Sequence, residues 1–268
     1  MDSKKEYILN QLHKQLCQVK KYYNIDQILG IFLYGSQNYN TDLEESDIDS
    51  KVILIPTIED LCLKKPISKE VHFENNEHCE VKDIREMANM FKKQNINFLE
   101  ILYTDYFILN PKYEKSWNEN FIKIRDDIVR MDIRATIKSI TGQIKSSLMR
   151  YPENNKQISN ALRFTHFLRN FLAGWNYRNC IDIKNYNPDA AGLIMDLKRG
   201  LINNQDNKDK IIEGILKDTE KLVNRIDEYP FDPDKAVAAA LDKATINVIT
   251  NNSFNFDFYN YKDKEINI

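Results

Sequence analysis

The chain lacks the features that mark several large classes of protein. Its four cysteines are widely scattered and form no Cys-x-x-Cys pair, which indicates reduced thiols in a cytoplasmic protein rather than a disulfide framework. The four histidines show no zinc-ligand spacing. No run approaches the length of about 18 apolar residues that spans a membrane, and the first residues contain no signal-peptide segment. We therefore expect a cytoplasmic protein with no membrane partner.

The chain also has little net charge. Lysine and arginine number 38 against 40 aspartates and glutamates, for a net charge of -2, so no global basic field indicates a nucleic-acid partner, although a local basic groove is compatible with this balance. Hydrophobic residues make up 42% and charged residues 29% of the 268 positions. These proportions are typical of folded globular proteins.

The most informative stretch runs from residue 28 to residue 56 and reads ILGIFLYGSQNYNTDLEESDIDSKVILIP. Two apolar runs flank a polar loop, which predicts a strand, a loop and a second strand. The first run ends in Gly35-Ser36, and the second begins with Asp47-Ile48-Asp49. Because side chains alternate along a strand, Asp47 and Asp49 are predicted to share one face.

Both ends of this stretch fit one chemistry. Paired carboxylates suit divalent cations such as Mg²⁺ or Mn²⁺. Gly35 lets the backbone approach a phosphate closely, and the Ser36 hydroxyl can donate a hydrogen bond to it. The pattern therefore predicts that one element holds a nucleoside triphosphate (NTP) and the other holds the metal ion that neutralises it.

This pattern resembles the DNA polymerase β-type nucleotidyltransferase superfamily, whose signature is a strand, Gly-Ser, a spacer, and Asp-x-Asp on the next strand. More narrowly, it is similar to the predicted nucleotidyltransferases of bacteria and their phages that carry Gly-Ser-x-x-x-Gly and Ser-Asp-x-Asp. Ser46 to Asp49 matches the second motif. Asn40 stands where these relatives often have glycine, and asparagine tolerates a positive φ better than most residues.

The resemblance implies an α+β fold: a mixed sheet with covering helices, followed by an α-helical bundle. We place the catalytic domain at residues 1–112 and the helical domain at residues 113–268. The predicted helices of the second half are 117–150, 156–176, 188–202, 208–227 and 233–248, separated by proline- and asparagine-containing segments. Residues 3–23 form an amphipathic helix that should cover one face of the sheet.

The resemblance also implies an enzyme with two-metal-ion chemistry, in which Asp47 and Asp49 hold both Mg²⁺ ions. It implies transfer of a nucleoside monophosphate from an NTP to an acceptor hydroxyl, with release of pyrophosphate. The acceptor stays open among an RNA 3′ end (tRNA included), a small molecule and a protein, with a slight preference for nucleic acid. Two alternatives are a nucleotide-binding sensor or antitoxin-like module without turnover, and a non-catalytic RNA-binding protein.

Members of the superfamily use a third carboxylate on a neighbouring strand as metal ligand and base. Residues 68–82 read as a hairpin about an Asn75-Asn76 turn, and the candidates on or after it are Glu77, Glu80 and Asp83. Strand alternation puts Glu80 opposite the apolar face and beside the aspartates. Asp83 instead begins a helix-capping pattern. We predict Glu80 as the third ligand; the alternative is an exposed strand acid.

The helical half contains two basic features. Lys145 lies in a segment that resembles the relatives' Gly-x-Gln-x-Lys region and is a candidate contact for the triphosphate. Arg163, His166 and Arg169 recur every three residues, so they lie on a broad side of one helix that could bind phosphates or an RNA backbone. The alternative for this side is ordinary solvated charge. Glu100, between apolar neighbours, is predicted to be a structural ion-pair or helix-cap partner.

Overall fold

The computed structural model describes residues 3–73 and 77–253 and shows a mixed α+β protein. The strands are β1 (Ile28–Tyr34), β2 (Asp49–Leu54), β3 (Ser68–His72), β4 (His78–Asp83) and β5 (Phe107–Leu109). They form one sheet in the order β3-β4-β2-β1-β5, in which β2 and β4 run parallel and the other neighbours antiparallel. The α+β class expected from the sequence is confirmed, whereas the predicted turn at Asn75-Asn76 lies outside the described residues.

Helices dominate the rest of the described chain. They are α1 (Ser3–Val19), α2 (Ser36–Tyr39), α3 (Ile58–Cys62), α4 (Ile84–Lys92), α5 (Ile96–Leu99), α6 (Pro111–Asn120), α7 (Arg125–Ile128), α8 (Ile133–Arg150), α9 (Asn155–Leu172), α10 (Tyr177–Ile181), α11 (Pro188–Lys198), α12 (Gln205–Val223) and α13 (Lys235–Ser253). No helix among the described residues has both the length and the apolarity to cross a bilayer.

Helix α1 covers one face of the sheet, as its amphipathic pattern predicts. Its side chains Ile8, Leu12, Leu16 and Val19 are buried. They pack in one apolar cluster with alternate residues of the central strands: Ile31, Leu33, Val52, Leu54, Cys79 and Val81. Strand alternation then sends the intervening side chains to the opposite face.

The opposite face of the sheet carries the helical half. One buried cluster runs from Leu29 and Phe32 of β1 to Ile249 of α13, so the two halves share a continuous apolar core. Helix α6 crosses the expected boundary at residue 112 and places Trp117 5.0 Å from Phe32, ring centroid to ring centroid. Side chains of the segment between β1 and β2 come together with side chains of helices α9 and α11 around one cavity.

The single helix predicted over 117–150 is wrong. The chain instead forms α6, a 3-10 turn at Ile122–Ile124, the short α7, and then α8. Helix α8 starts where the Asp132 carboxylate accepts a hydrogen bond from the Ala135 N–H at 2.8 Å. An aspartate in that position competes with helical continuation and favours a new N-terminus.

Candidate active site

The Asp-x-Asp motif faces the helical half because Ile48 faces α1. The Ile48 side chain is completely buried in the cluster beneath α1. Asp47 is therefore exposed and Asp49 half-buried on the other side of the strand. A cavity of about 260 Å³ opens there. It is lined by Ser36, Leu43, Glu45, Ser46, Asp47, Asp49, Lys156, Asn160 and Lys198.

The turn after β1 supplies the serine of this cavity. Gly35 has a φ of 89°, and an added Cβ would meet no atom within 4 Å, so backbone conformation rather than space requires glycine here. The short helix α2 begins at Ser36 and ends at Tyr39, and Asn40, its C-cap, has a left-handed φ of 56°. The expectation that Asn40 tolerates a positive φ is thus confirmed.

The opposite wall comes from the helical half. Lys156 and Asn160 lie on α9, and Lys198 is the last residue of α11. Lys198 Nζ donates to Thr41 Oγ1 at 3.5 Å. Burial, together with nearby Lys156 and Arg163, lowers the pKa of Lys198 to about 8. Cationic groups from two helices therefore face the two carboxylates across the cavity.

Sequence reasoning missed Lys156 and Lys198. The spacing of Lys156, Asn160 and Arg163 by four and then three residues places them on one stripe of α9. That stripe is visible in the sequence, but the sequence does not show that this side of α9 lies next to the Asp-x-Asp motif. Lys198 carries no local signal, because α11 reaches the cavity only through tertiary packing.

Asp49 is half-buried, whereas Glu45 and Asp47, the other acids of the cavity lining, are exposed. Burial raises the pKa of Asp49 and Asp47 adds to this effect, while His78 and Lys156 oppose it. Asp49 Oδ1 is buried and is paired with His78, whose Nδ1 lies 2.8 Å away. Two carboxylates that border one open cavity are a donor set that fits a divalent cation, since Mg²⁺ is usually held by one or two carboxylates plus phosphates.

Glu80 has the predicted orientation but a different environment. It lies on the Asp49 face of the sheet, paired in register with Lys51. Its carboxylate forms ion pairs with Lys51 and, at 3.0 Å, with Lys82. Although burial alone would raise the pKa of Glu80, these two lysines lower it. Glu80 does not line the cavity.

The Glu80 carboxylate is the counter-ion of the buried Lys51 ammonium. The lysine side chain is only 2% exposed. Its ammonium lies 3.8 Å from the Tyr34 ring centroid and 4.2 Å from that of Phe98. A buried ammonium needs a counter-ion, and Glu80 provides it. The strand position nearest Asp49 on β4 is instead filled by His78, whose Nε2 forms a hydrogen bond with the Tyr34 hydroxyl.

The other two candidates for a third acid have structural roles. Asp83 is the N-cap of α4 and accepts the Arg85 N–H at 2.8 Å, which confirms its capping pattern. Glu77 is buried and accepts a hydrogen bond from Gln15 Nε2 at 2.8 Å. Within residues 3–73 and 77–253, no three His, Cys, Asp or Glu side chains are grouped to hold a metal ion. Asp47 and Asp49 therefore line the cavity without Glu77, Glu80 or Asp83, and the other carboxylate of the lining is that of Glu45, in the loop before the motif.

The structure separates the predicted basic residues. Lys145 is exposed on α8 and is not part of the cavity lining. Arg169 Nη2 forms an ion pair with Asp218 at 2.6 Å, on the exposed side of α9. Arg163 is instead 2% exposed, so Arg163 and Arg169 do not present one exposed face. The hypothesis of a continuous phosphate-binding side on this helix is therefore not supported.

Arg163 lies beneath the cavity rather than on the surface. Its guanidinium carbon is 3.8 Å from the centroid of the Tyr39 ring. Its Nε and Nη1 atoms are buried and have no hydrogen-bond partner among the described residues. It is also close enough to Lys198 to lower the pKa of that lysine. Of Lys145, Arg163 and Arg169, Arg163 is thus the one whose charge acts on a lysine of the cavity lining.

Comparison of the sequence with known proteins assigns no family to the chain. No protein-family model matches the chain, and no curated protein matches its sequence significantly. The chemical interpretation therefore depends on what the cavity brings together. The cavity brings together carboxylates and two serines from the segment between β1 and β2 with two lysines and an amide from helices α9 and α11.

Proposed function

We propose that this protein is a Mg²⁺-dependent nucleotidyltransferase of the DNA polymerase β type, which transfers a nucleoside monophosphate from an NTP to an acceptor hydroxyl. One observation carries the proposal. A single cavity joins Asp47 and Asp49 from the strand motif, Ser36 from the glycine turn, and Lys156 and Lys198 from the helical half. This combination matches the charge pattern of a metal-bound triphosphate.

The aspartates and the lysines of the cavity have different roles in this proposal. Asp47 and Asp49 hold the metal ion, which supplies charge neutralisation on the phosphates. Lys156 and Lys198 neutralise the outer phosphates, and the Ser36 hydroxyl donates a hydrogen bond to one of their oxygens. Arg163 adds positive potential from below. The protein thus acts by positioning and electrostatics, with no covalent intermediate on a side chain.

The transfer of the nucleoside monophosphate involves no change of oxidation state. The acceptor oxygen forms a bond to the α-phosphorus, and the bond from that phosphorus to the bridging oxygen breaks. Pyrophosphate leaves with the electron pair, and the acceptor proton passes to solvent. Because Glu80 is neutralised by Lys51 and Lys82, we assign it no role as base or metal ligand.

The test is transfer of label from each α-³²P-labelled NTP, with Mg²⁺, to separated RNA, protein and small-molecule fractions. We expect one fraction to be labelled by the wild-type protein and an RNA 3′ end to be the acceptor. Asp49→Asn should abolish the label, whereas Lys145→Gln, which changes an exposed residue outside the cavity, should not. Undiminished labelling by Asp49→Asn would reject the mechanism.

A second candidate function is a nucleotide-binding sensor that performs no transfer. The observation that favours it is the engagement of Glu80 by two lysines, since the predicted third metal ligand is then paired within the protein. NTP binding measured by calorimetry, combined with no pyrophosphate release in the presence of any acceptor fraction, identifies this function.

A further inference from the structure

Glu100 is a completely buried acid directly behind the glycine turn. It begins a 3-10 turn, Glu100–Leu102, that follows α5, and its side chain has no exposed surface. It does not line the cavity. Isolated buried carboxylates are costly, so each such group requires partners that explain it.

The partners of Glu100 are all in the segment that carries Ser36. Glu100 Oε2 accepts hydrogen bonds from the Gly35 N–H and from Asn38 Nδ2, both at 3.3 Å. Glu100 Oε1 accepts a hydrogen bond from the Tyr39 hydroxyl at 2.8 Å. One carboxylate therefore binds the residue before α2 and two side chains of α2 itself.

Two other contacts hold the segment from Gly35 to Tyr39 in place. Asn38 Nδ2 also donates to the Leu33 carbonyl oxygen at 3.0 Å, which ties the same turn to the end of β1. The Tyr39 ring stacks against the Arg163 guanidinium at 3.8 Å. The turn is thus held between the sheet and helix α9, the two elements that supply opposite walls of the cavity.

Burial and the neighbouring polar groups have opposite effects on the pKa of Glu100. Burial raises the pKa of Glu100 to about 7, while the hydrogen bonds from Tyr39 and Asn38 and the charges of Lys51 and Arg163 oppose this rise. A purely apolar side chain would avoid this cost if only packing were required. The acid therefore serves a purpose that packing does not explain.

We infer that Glu100 is a positioning residue of the nucleotide site, whose carboxylate fixes the turn that presents Gly35 and Ser36 to the phosphates. This inference rests on the proposed function. Glu100 acts through the turn and touches neither the phosphates nor the metal ion. Loss of its carboxylate should therefore weaken nucleotide binding without weakening metal binding by Asp47 and Asp49.

The experiment measures two affinities and one spectroscopic signal in Glu100→Gln. Calorimetry gives the affinity for Mg²⁺-ATP, electron paramagnetic resonance gives the affinity for Mn²⁺ alone, and NMR follows the Gly35 amide proton. Glutamine is isosteric but offers one acceptor oxygen instead of two. We expect about tenfold weaker Mg²⁺-ATP binding, as a displaced donor turn predicts, together with unchanged Mn²⁺ affinity and a shifted Gly35 amide signal.

Two further variants separate positioning from general stability. Tyr39→Phe removes one of the three donors and should weaken Mg²⁺-ATP binding by a smaller factor. Ile215→Val trims a buried side chain of α12, away from the turn, and should change neither affinity. Wild-type Mg²⁺-ATP affinity in Glu100→Gln, or parallel losses of both affinities, would overturn the inference.

The proposed function and the inference fail in different ways. If the wild-type protein binds neither Mn²⁺ nor Mg²⁺-ATP, the proposed function fails. The Gly35 amide signal still decides whether Glu100 orders the turn, because that signal is measured without ligand. An unshifted Gly35 amide in Glu100→Gln overturns the inference whatever the nucleotide result.

Discussion

Asp49 and Lys51 point to the same face of β2, one pleat apart, but their charges are balanced in different ways. Lys51 is buried and paired with Glu80 on the adjacent strand. Asp49 is paired with His78 at 2.8 Å, and it also lines an open cavity that contains two lysines. The difference indicates that Lys51 has its counter-ion inside the protein, whereas Asp49 borders a space that a ligand can enter.

The comparison extends to the basic residues of α9. Arg169 is paired with Asp218 on the surface, whereas Arg163 lies beneath the cavity with two unpartnered nitrogens in the described part of the chain. In both comparisons residue type alone does not reveal the role. The surroundings of the charged group in the folded protein do.

The largest expected effect comes from comparing substitution of Asp49, which lines the cavity, with substitution of Glu80, which is paired with lysines. Asp49→Asn should reduce nucleotide transfer by at least about 10³-fold, because the metal loses a charged ligand in the transition state. Glu80→Gln should retain most of the activity, provided that circular dichroism shows an intact fold. If both variants lose transfer equally, Glu80 is a third catalytic acid after all and the comparison fails.

Breaking the compensated pair should affect stability rather than catalysis. Lys51→Met removes a buried ammonium and leaves Glu80 with Lys82 as its counter-ion, so we expect a loss of about 3 kcal/mol in the free energy of unfolding. Urea denaturation measures this loss. The double variant Lys51→Met/Glu80→Gln should recover part of it, and a double variant no more stable than the single one would contradict the pairing.

Glu100 predicts how stability depends on pH. Its pKa is about 7 in the folded protein against an ordinary value of 4.5, so the folded state binds the proton more tightly than the unfolded state. Stability from this group is present below pH 4.5 and lost as pH rises to about 7, by up to about 3 kcal/mol. Denaturation of wild type and Glu100→Gln across this window should show a steeper decline in wild type.

The smallest effect concerns the lysines. Lys198→Gln should weaken Mg²⁺-ATP binding about tenfold, whereas Lys145→Gln should leave it unchanged. Because the pKa of Lys198 is about 8, wild-type affinity should fall as pH rises through 8, when the ammonium loses its proton. Calorimetry at several pH values checks both statements. Lys198→Arg, which keeps its charge, should remove the decline.

Local patterns predicted several elements correctly. The stripe of α1, the left-handed Asn40 and the Asp83 cap each depend on residues close together in sequence. Strand alternation also placed Glu80 and Asp49 on the same face. It could not show that Lys51 lies opposite Glu80, because the parallel register of β2 and β4 is set by sheet assembly rather than by either strand.

The sequence by itself determined which side chains share a strand face and where the chain must turn, because alternation, capping and positive φ are local properties. Only the tertiary structure decided which charges are neutralised. Helices α9 and α11 lie far along the chain from β2, and packing of the shared core brings Lys156 and Lys198 opposite Asp47 and Asp49. Electrostatic compensation depends on distance in space, and no local pattern encodes it.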